Sequence, residues 1–105
     1  MAESGGIGMF VVLVTWQIKQ ESCAAFRKAV VRQAATSLRE ETACHRFDVS
    51  TCDAQPDTFV LYEVYGEKAD FDLHLKTDHY AAFSALSAPM TVSKTVQTLE
   101  LINPD

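Results

Sequence analysis

The side chains with most scope for chemistry are His74, Glu63 and His79, together with the aromatic residues spaced around them. His74 follows Phe71 by three positions and precedes the break Lys76-Thr77-Asp78, so a helix ending there sets its imidazole beside an apolar face. An imidazole so placed either takes a structural hydrogen bond, with Glu63 or a backbone carbonyl, or serves as general base to a bound ligand. Glu63 stands in the run Thr58 to Tyr65 (TFVLYEVY). A carboxylate in so apolar a strand has to be paired, hydrogen-bonded or protonated. Arg46, across the hairpin, is the expected ion-pair partner; the alternative role for Glu63 is to polarise a substrate or to orient His74. His79 lies near the start of the next helix, where capping competes with ligand contact, and is followed by Tyr80 and Phe83. The spacing of His74 and His79 across a helix break is not the i, i+4 register of helical dihistidine sites, and no metal is expected.

Other chemistries find no support. Cys23, Cys44 and Cys52 are odd in number and lack CxxC spacing, so they make neither a closed disulfide framework nor a four-cysteine zinc site, and they read as reduced thiols. His45 follows Cys44 directly, which in a strand turns the two side chains to opposite faces. Gly-rich phosphate loops, a GxSxG elbow, HExxH and the dinucleotide fingerprint are all missing from the sequence. No cofactor is therefore expected.

These residues need elements to hold them. Residues 1–8 (MAESGGIG) read as a flexible arm, residues 9–102 as one domain and 103–105 as a short C-terminal tail. Met9 to Ile18 is β-branched and aromatic on both alternating faces, a strand with no water on either side. Phe26, Ala29, Val30, Ala34, Ser37 and Leu38 recur at helical spacing in a segment reaching about Glu40. Cys44 to Thr51 and Thr58 to Tyr65 read as a hairpin joined by the polar stretch Cys52 to Asp57. Glu67 to Leu75 suggests a short helix, and Thr77 caps a second through Leu86. Pro89 stops that helix, and Thr91 to Ile102 alternates as a last strand.

The order β-α-β-β-α-β is the ferredoxin-like split βαβ arrangement, an α+β fold with an antiparallel sheet and its helices on one face. Strands apolar on both sides leave the second face in need of a cover, and a second copy of the chain packed sheet against sheet supplies it. A homodimer is expected. The chain has 105 residues, 48% of them hydrophobic, enough for one domain with its own core. Its net charge of -5, without a Lys/Arg cluster, argues against a nucleic-acid or membrane-surface partner. No apolar run reaches the roughly 20 residues of a membrane span, and the early glycines and Glu3 do not make a signal peptide, so a cytoplasmic location is expected.

Three blocks resemble the antibiotic biosynthesis monooxygenase (ABM) superfamily: Cys44-His45-Arg46-Phe47-Asp48-Val49, then Phe59-x-Leu61-Tyr62-Glu63-x-Tyr65, then His74-x-x-Thr77-x-His79-Tyr80-x-x-Phe83. Thr42-Ala43 stands where many relatives have Pro-Gly, and Asp78 where Pro commonly precedes the second His. The resemblance implies a dimeric α+β barrel with a pocket between sheet and helices. It implies a small-molecule substrate, with O2 as second reactant in the oxygenase branch. On that footing the chain is read as a cofactor-independent monooxygenase of a small quinol or phenol. His74 and Glu63 are the catalytic pair, and Tyr62, Arg46, His79, Tyr80 and Phe83 the substrate contacts. The alternatives are an isomerase of a phosphorylated autoinducer-2-type dicarbonyl, to which the same blocks are similar, and a non-catalytic small-ligand binding domain. Haem breakdown is disfavoured. The superfamily's haem-degrading members use an Asn in the first strand and a Trp and a His in the second helical region, and Met9 to Ile18 has no Asn, Glu67 to Leu86 no Trp.

Overall fold

The computed structural model describes residues 8–104; the arm expected at residues 1–8 lies, Gly8 apart, outside the described residues, as does position 105. Strand β1 (Met9–Ile18) leads through a 3-10 turn into helix α1 (Cys23–Glu40). Strands β2 (Cys44–Cys52) and β3 (Gln55–Tyr65) follow, then helices α2 (Lys68–His74) and α3 (Asp78–Ser87), and finally strand β4 (Thr91–Leu101). The sheet order is β2-β3-β1-β4 with every neighbouring pair antiparallel, which is the expected ferredoxin-like α+β arrangement.

Strand alternation sends Val12, Val14, Trp16 and Ile18 of β1 and Phe59 and Leu61 of β3 to the face that the helices cover. There they meet Phe26, Ala29, Val30 and Ala34 of α1 and Phe83 of α3. The small side chains at 29 and 34 bring α1 close enough for Phe26 to pack edge-on against both Trp16 and Phe59, at ring separations of 5.0 and 4.8 Å. Each such buried ring stabilises the fold by roughly 1.5–3 kcal/mol. The cavity opens beside Trp16 and Phe83, under α2 and α3.

Local signals set the helices that carry the site. Glu67 and Asp70 form a reciprocal capping box at the start of α2, and the Thr77 hydroxyl accepts the Tyr80 N–H at 3.1 Å to start α3. Gly66 lies tight against that box: a Cβ there would come 2.9 Å from Asp70 Oδ2. Thr77 also donates to the His74 carbonyl at 2.8 Å, so the break between the helices is closed by one side chain.

Three features differ from the sequence reading. The hairpin turn is confined to Asp53-Ala54, and β3 starts at Gln55 instead of Thr58. Pro56 is tolerated in that extension because β1 pairs with β3 only as far as Thr58, so no ladder bond to β1 is lost. The outer face of β1 is not uniformly dry: Val11 is buried there, but Thr15 and Gln17 are exposed. Strand β4 is exposed along nearly its whole length, because the helices stop short of that edge. No helix among the described residues is long and apolar enough to cross a membrane.

Candidate active site

A cavity of about 260 Å³ lies between the sheet and the helices, lined by Val12, Val14, Trp16, Phe47, Leu61, Phe71, Leu75, Tyr80, Phe83 and Val96, with Glu63, His74 and Lys94 as its ionisable side chains. It falls just below the usual range of ligand pockets, roughly 300 to 1,000 Å³, and suits a compact planar molecule. Cross-strand register explains the lining. Phe47, Glu63, Val12 and Thr98 form one row across the four strands, and Val49, Leu61, Val14 and Val96 the next.

Glu63 is 4% exposed and accepts a 2.7 Å hydrogen bond from the Tyr65 hydroxyl, its neighbour two positions along the same face. Burial pushes the Glu63 carboxyl up to about 7, against the opposing pull of Tyr65 and Lys94. Lys94 holds its ammonium 4.1 Å from the Trp16 ring centroid, and desolvation draws it below the ordinary lysine value despite Glu63. His74 is 3% exposed and boxed by Phe47, Tyr65, Phe71 and Tyr80, whose ring centroids lie 5.2 to 6.3 Å away. Burial lowers its pKa, and the hydrogen bond from its Nδ1 to Glu41 works the other way. The cavity thus holds a neutral imidazole and a carboxylic acid that keeps its proton to near neutrality. Two ionisable groups pushed toward their uncharged forms in one apolar cavity can serve as base and acid.

A family model described as antibiotic biosynthesis monooxygenase matches residues 9–86 of the 105 in the chain. The chain belongs to the antibiotic biosynthesis monooxygenase family. It is similar to a solved structure of a candidate antibiotic biosynthesis monooxygenase from Nitrosomonas europaea, with 28% identity, a TM-score of 0.89, and 92% of this chain and 93% of that one covered. A candidate member from Caulobacter crescentus is alike in fold at 21% identity and TM-score 0.84, with 89% of each chain covered. A Lactobacillus acidophilus candidate monooxygenase aligns at 26% identity and TM-score 0.85 over 89% of this chain and 44% of that one. No curated protein matches the chain. Membership supports a monooxygenase-type function in general terms.

Within this monooxygenase fold the cavity brings together His74, Glu63, Tyr80 and Phe83. Tyr62 and Arg46, also read as substrate contacts, point from the opposite face of the sheet. For Tyr62 the reason is strand alternation beside Glu63. For Arg46 it is a bulge at His45, which sets Cys44 against Tyr65 but Arg46 against Val64, so that Phe47 and not Arg46 sits opposite Glu63. Arg46 pairs instead with Asp48 at 2.7 Å on the exposed surface. His79 is 21% exposed and lies behind His74, in a groove between α1 and α3 that Gln33 and Arg32 also line.

Glu41, Lys94 and Tyr65 were not singled out by sequence. Glu41 contacts His74 Nδ1 at 2.8 Å from 33 positions away, a pairing only the fold reveals. Its one visible signal is an acidic side chain at the C-terminus of a helix, where the backbone dipole disfavours negative charge. No cluster of His, Cys, Asp and Glu among the described residues is arranged to hold a metal ion. Cys44 is buried and its thiol pushed up to about 12, chiefly by desolvation, so it is a packing residue and no nucleophile.

Proposed function

We propose that the chain is a cofactor-independent monooxygenase of a small phenol or quinol bound in this cavity. The observation that carries the reading is the buried pair His74 and Glu63, a neutral base and a retained proton, in a mostly apolar cavity sized for a planar ring. His74 takes the phenolic proton, and the resulting anion donates electrons to O2. One oxygen atom of O2 becomes bonded to a ring carbon in place of its hydrogen, the O–O bond breaks so that the other oxygen leaves as water, and the substrate supplies all four electrons by being oxidised to a quinone. Glu63, held by Tyr65, delivers a proton to the oxygen anion as it develops. The test is oxygen consumption with a panel of dihydroxyarenes. Uptake with at least one of them supports the reading; tight binding of one with no uptake replaces it with a non-catalytic binding domain.

One observation favours a second reading. Lys94 gives the cavity a cation that a phosphorylated dicarbonyl could use, a role for which Arg46 is on the wrong face. Offering phosphorylated pentanedione and following proton exchange by NMR separates the two. Exchange that vanishes in Lys94→Gln establishes the isomerase, and its absence alongside O2 uptake establishes the oxygenase.

The protein is further proposed to act as a homodimer. Its edge strand β4 leaves Val92 and Leu99 57% and 41% exposed, and the outer sheet face carries Leu13, Val60 and Tyr62 without a helix over them. Light scattering at micromolar concentration is expected to give about twice the 11.6 kDa chain mass. A stable monomer would overturn this. The charge of -5 keeps nucleic acid out of the set of partners.

A further inference from the structure

His74 does not stand alone. Its Nδ1 lies 2.8 and 3.1 Å from the two oxygens of Glu41, and Nε2 of His79 lies 2.9 Å from the nearer of those oxygens, close to it but outside hydrogen-bond alignment. On its far side His79 Nδ1 meets Gln33 Oε1 at 3.4 Å, and Gln33 is 5% exposed. A chain of side chains therefore runs from the cavity wall, through one carboxylate, to the groove between α1 and α3.

We propose that Glu41 is the positioning residue for His74, holding the ring so that Nδ1 donates and Nε2 is left bare for the cavity, and that His79 tunes this hold by sharing the same carboxylate oxygen. The proposal rests on the reading of His74 as the base. Three observations carry it. The first is placement: Glu41 caps the C-terminus of α1, where the helix dipole repels an anion and a fold built for stability alone would favour Lys or Arg. Second, its side chain is only 14% exposed and its contacts are with two imidazoles, while the nearby Arg39 pairs with Glu40. Third, Phe47, Phe71, Tyr65 and Tyr80 enclose the rest of the His74 ring, leaving Glu41 to decide which nitrogen carries the proton.

A neutral histidine free in water favours the proton on Nε2, so the proposed tautomer is the rarer one and has a spectral signature. Long-range proton–nitrogen correlation spectra of the labelled protein are expected to show His74 protonated at Nδ1 in the wild type and switched to Nε2 in Glu41→Leu. Glu41→Gln keeps an acceptor but removes the charge, and it covers the case in which Glu41→Leu does not fold. The titratable groups facing His74 are Glu41 at the end of α1, His79 and Tyr80 from α3, and Glu63 and Tyr65 from β3. Of these, Glu41 raises the His74 pKa and His79 lowers it. Glu41→Gln is therefore expected to move the His74 titration down and His79→Gln to move it up, and kcat in Glu41→Gln to fall roughly 10- to 100-fold with KM little changed. An Nε2-protonated His74 in the wild type, or shifts in the same direction in the two variants, would overturn the proposal. Should no substrate turn over, the functional reading fails, yet the tautomer and the two opposed shifts still decide the role of Glu41.

Discussion

His74→Ala is expected to lower kcat by roughly 10²- to 10⁴-fold, the range that loss of a positioned general base produces, with KM changed only a few-fold. The residual rate would come from the cavity and Glu63. The pH profile makes the prediction specific. Burial holds the His74 pKa below the ordinary 6.5, so the base stays unprotonated into mildly acidic solution and the acidic limb of kcat/KM lies below that value. Glu63 loses its proton at about 7, so a falling limb is expected near neutrality if Glu63 is the acid. A bell centred on the acid side of neutral is the expected shape. In His74→Ala the acidic limb disappears from whatever rate remains. His74→Gln keeps more of the volume between Phe71 and Tyr80 and guards against collapse of the box as the cause. Oxygen-electrode rates across pH 5–9 check both variants, and an undiminished kcat in a folded His74→Ala removes the residue from the mechanism.

What could be read from sequence and what could not divides along physical lines. Signals that act over one helical turn or one strand survived: Thr77 is the cap of α3, Pro89 follows the end of that helix, and the alternation of Val12, Val14 and Trp16 defines the covered face. Signals that depend on register did not. A single bulged residue at His45 rotates Arg46 to the outside and substitutes Phe47 opposite Glu63, and no residue type in Cys44 to Val49 announces such a bulge. Tyr65 shares the face of Glu63 by simple alternation, and its hydroxyl satisfies the carboxylate more locally than any cross-strand arginine. Lys94 reads as a polar residue in an alternating strand. Only the adjacency of β4 to β1 lays it over Trp16. Glu41 needed the closure of α1 against α2 and α3.

Glu63→Gln is expected to stabilise the protein at pH 8 by roughly 3 kcal/mol while reducing turnover, and the dependence on pH identifies the cause. The carboxyl is raised from 4.5 to about 7 in the folded chain. Below pH 4.5 it is protonated in both states and contributes no difference. Between 4.5 and about 7 the unfolded chain loses the proton while the folded chain keeps it, so stability falls as pH rises through that window and levels off above it. His74, with its depressed pKa, acts in the opposite sense, its contribution being lost as pH falls below 6.5, so the wild-type curve alone blurs the two. Subtracting wild type from Glu63→Gln cancels His74 and isolates the carboxylate. The difference should be near zero at pH 4 and grow to its full size by pH 8, where a gain of that order raises Tm by roughly 10–20 °C in a domain of this length. Urea denaturation at pH 4, 6 and 8 measures it. A gain that is the same at pH 4 and pH 8 would mean that packing, and not the buried charge, separates glutamine from glutamate. A gain confined to high pH would show that the fold carries a destabilising acid at the one position where the proposed reaction needs a proton.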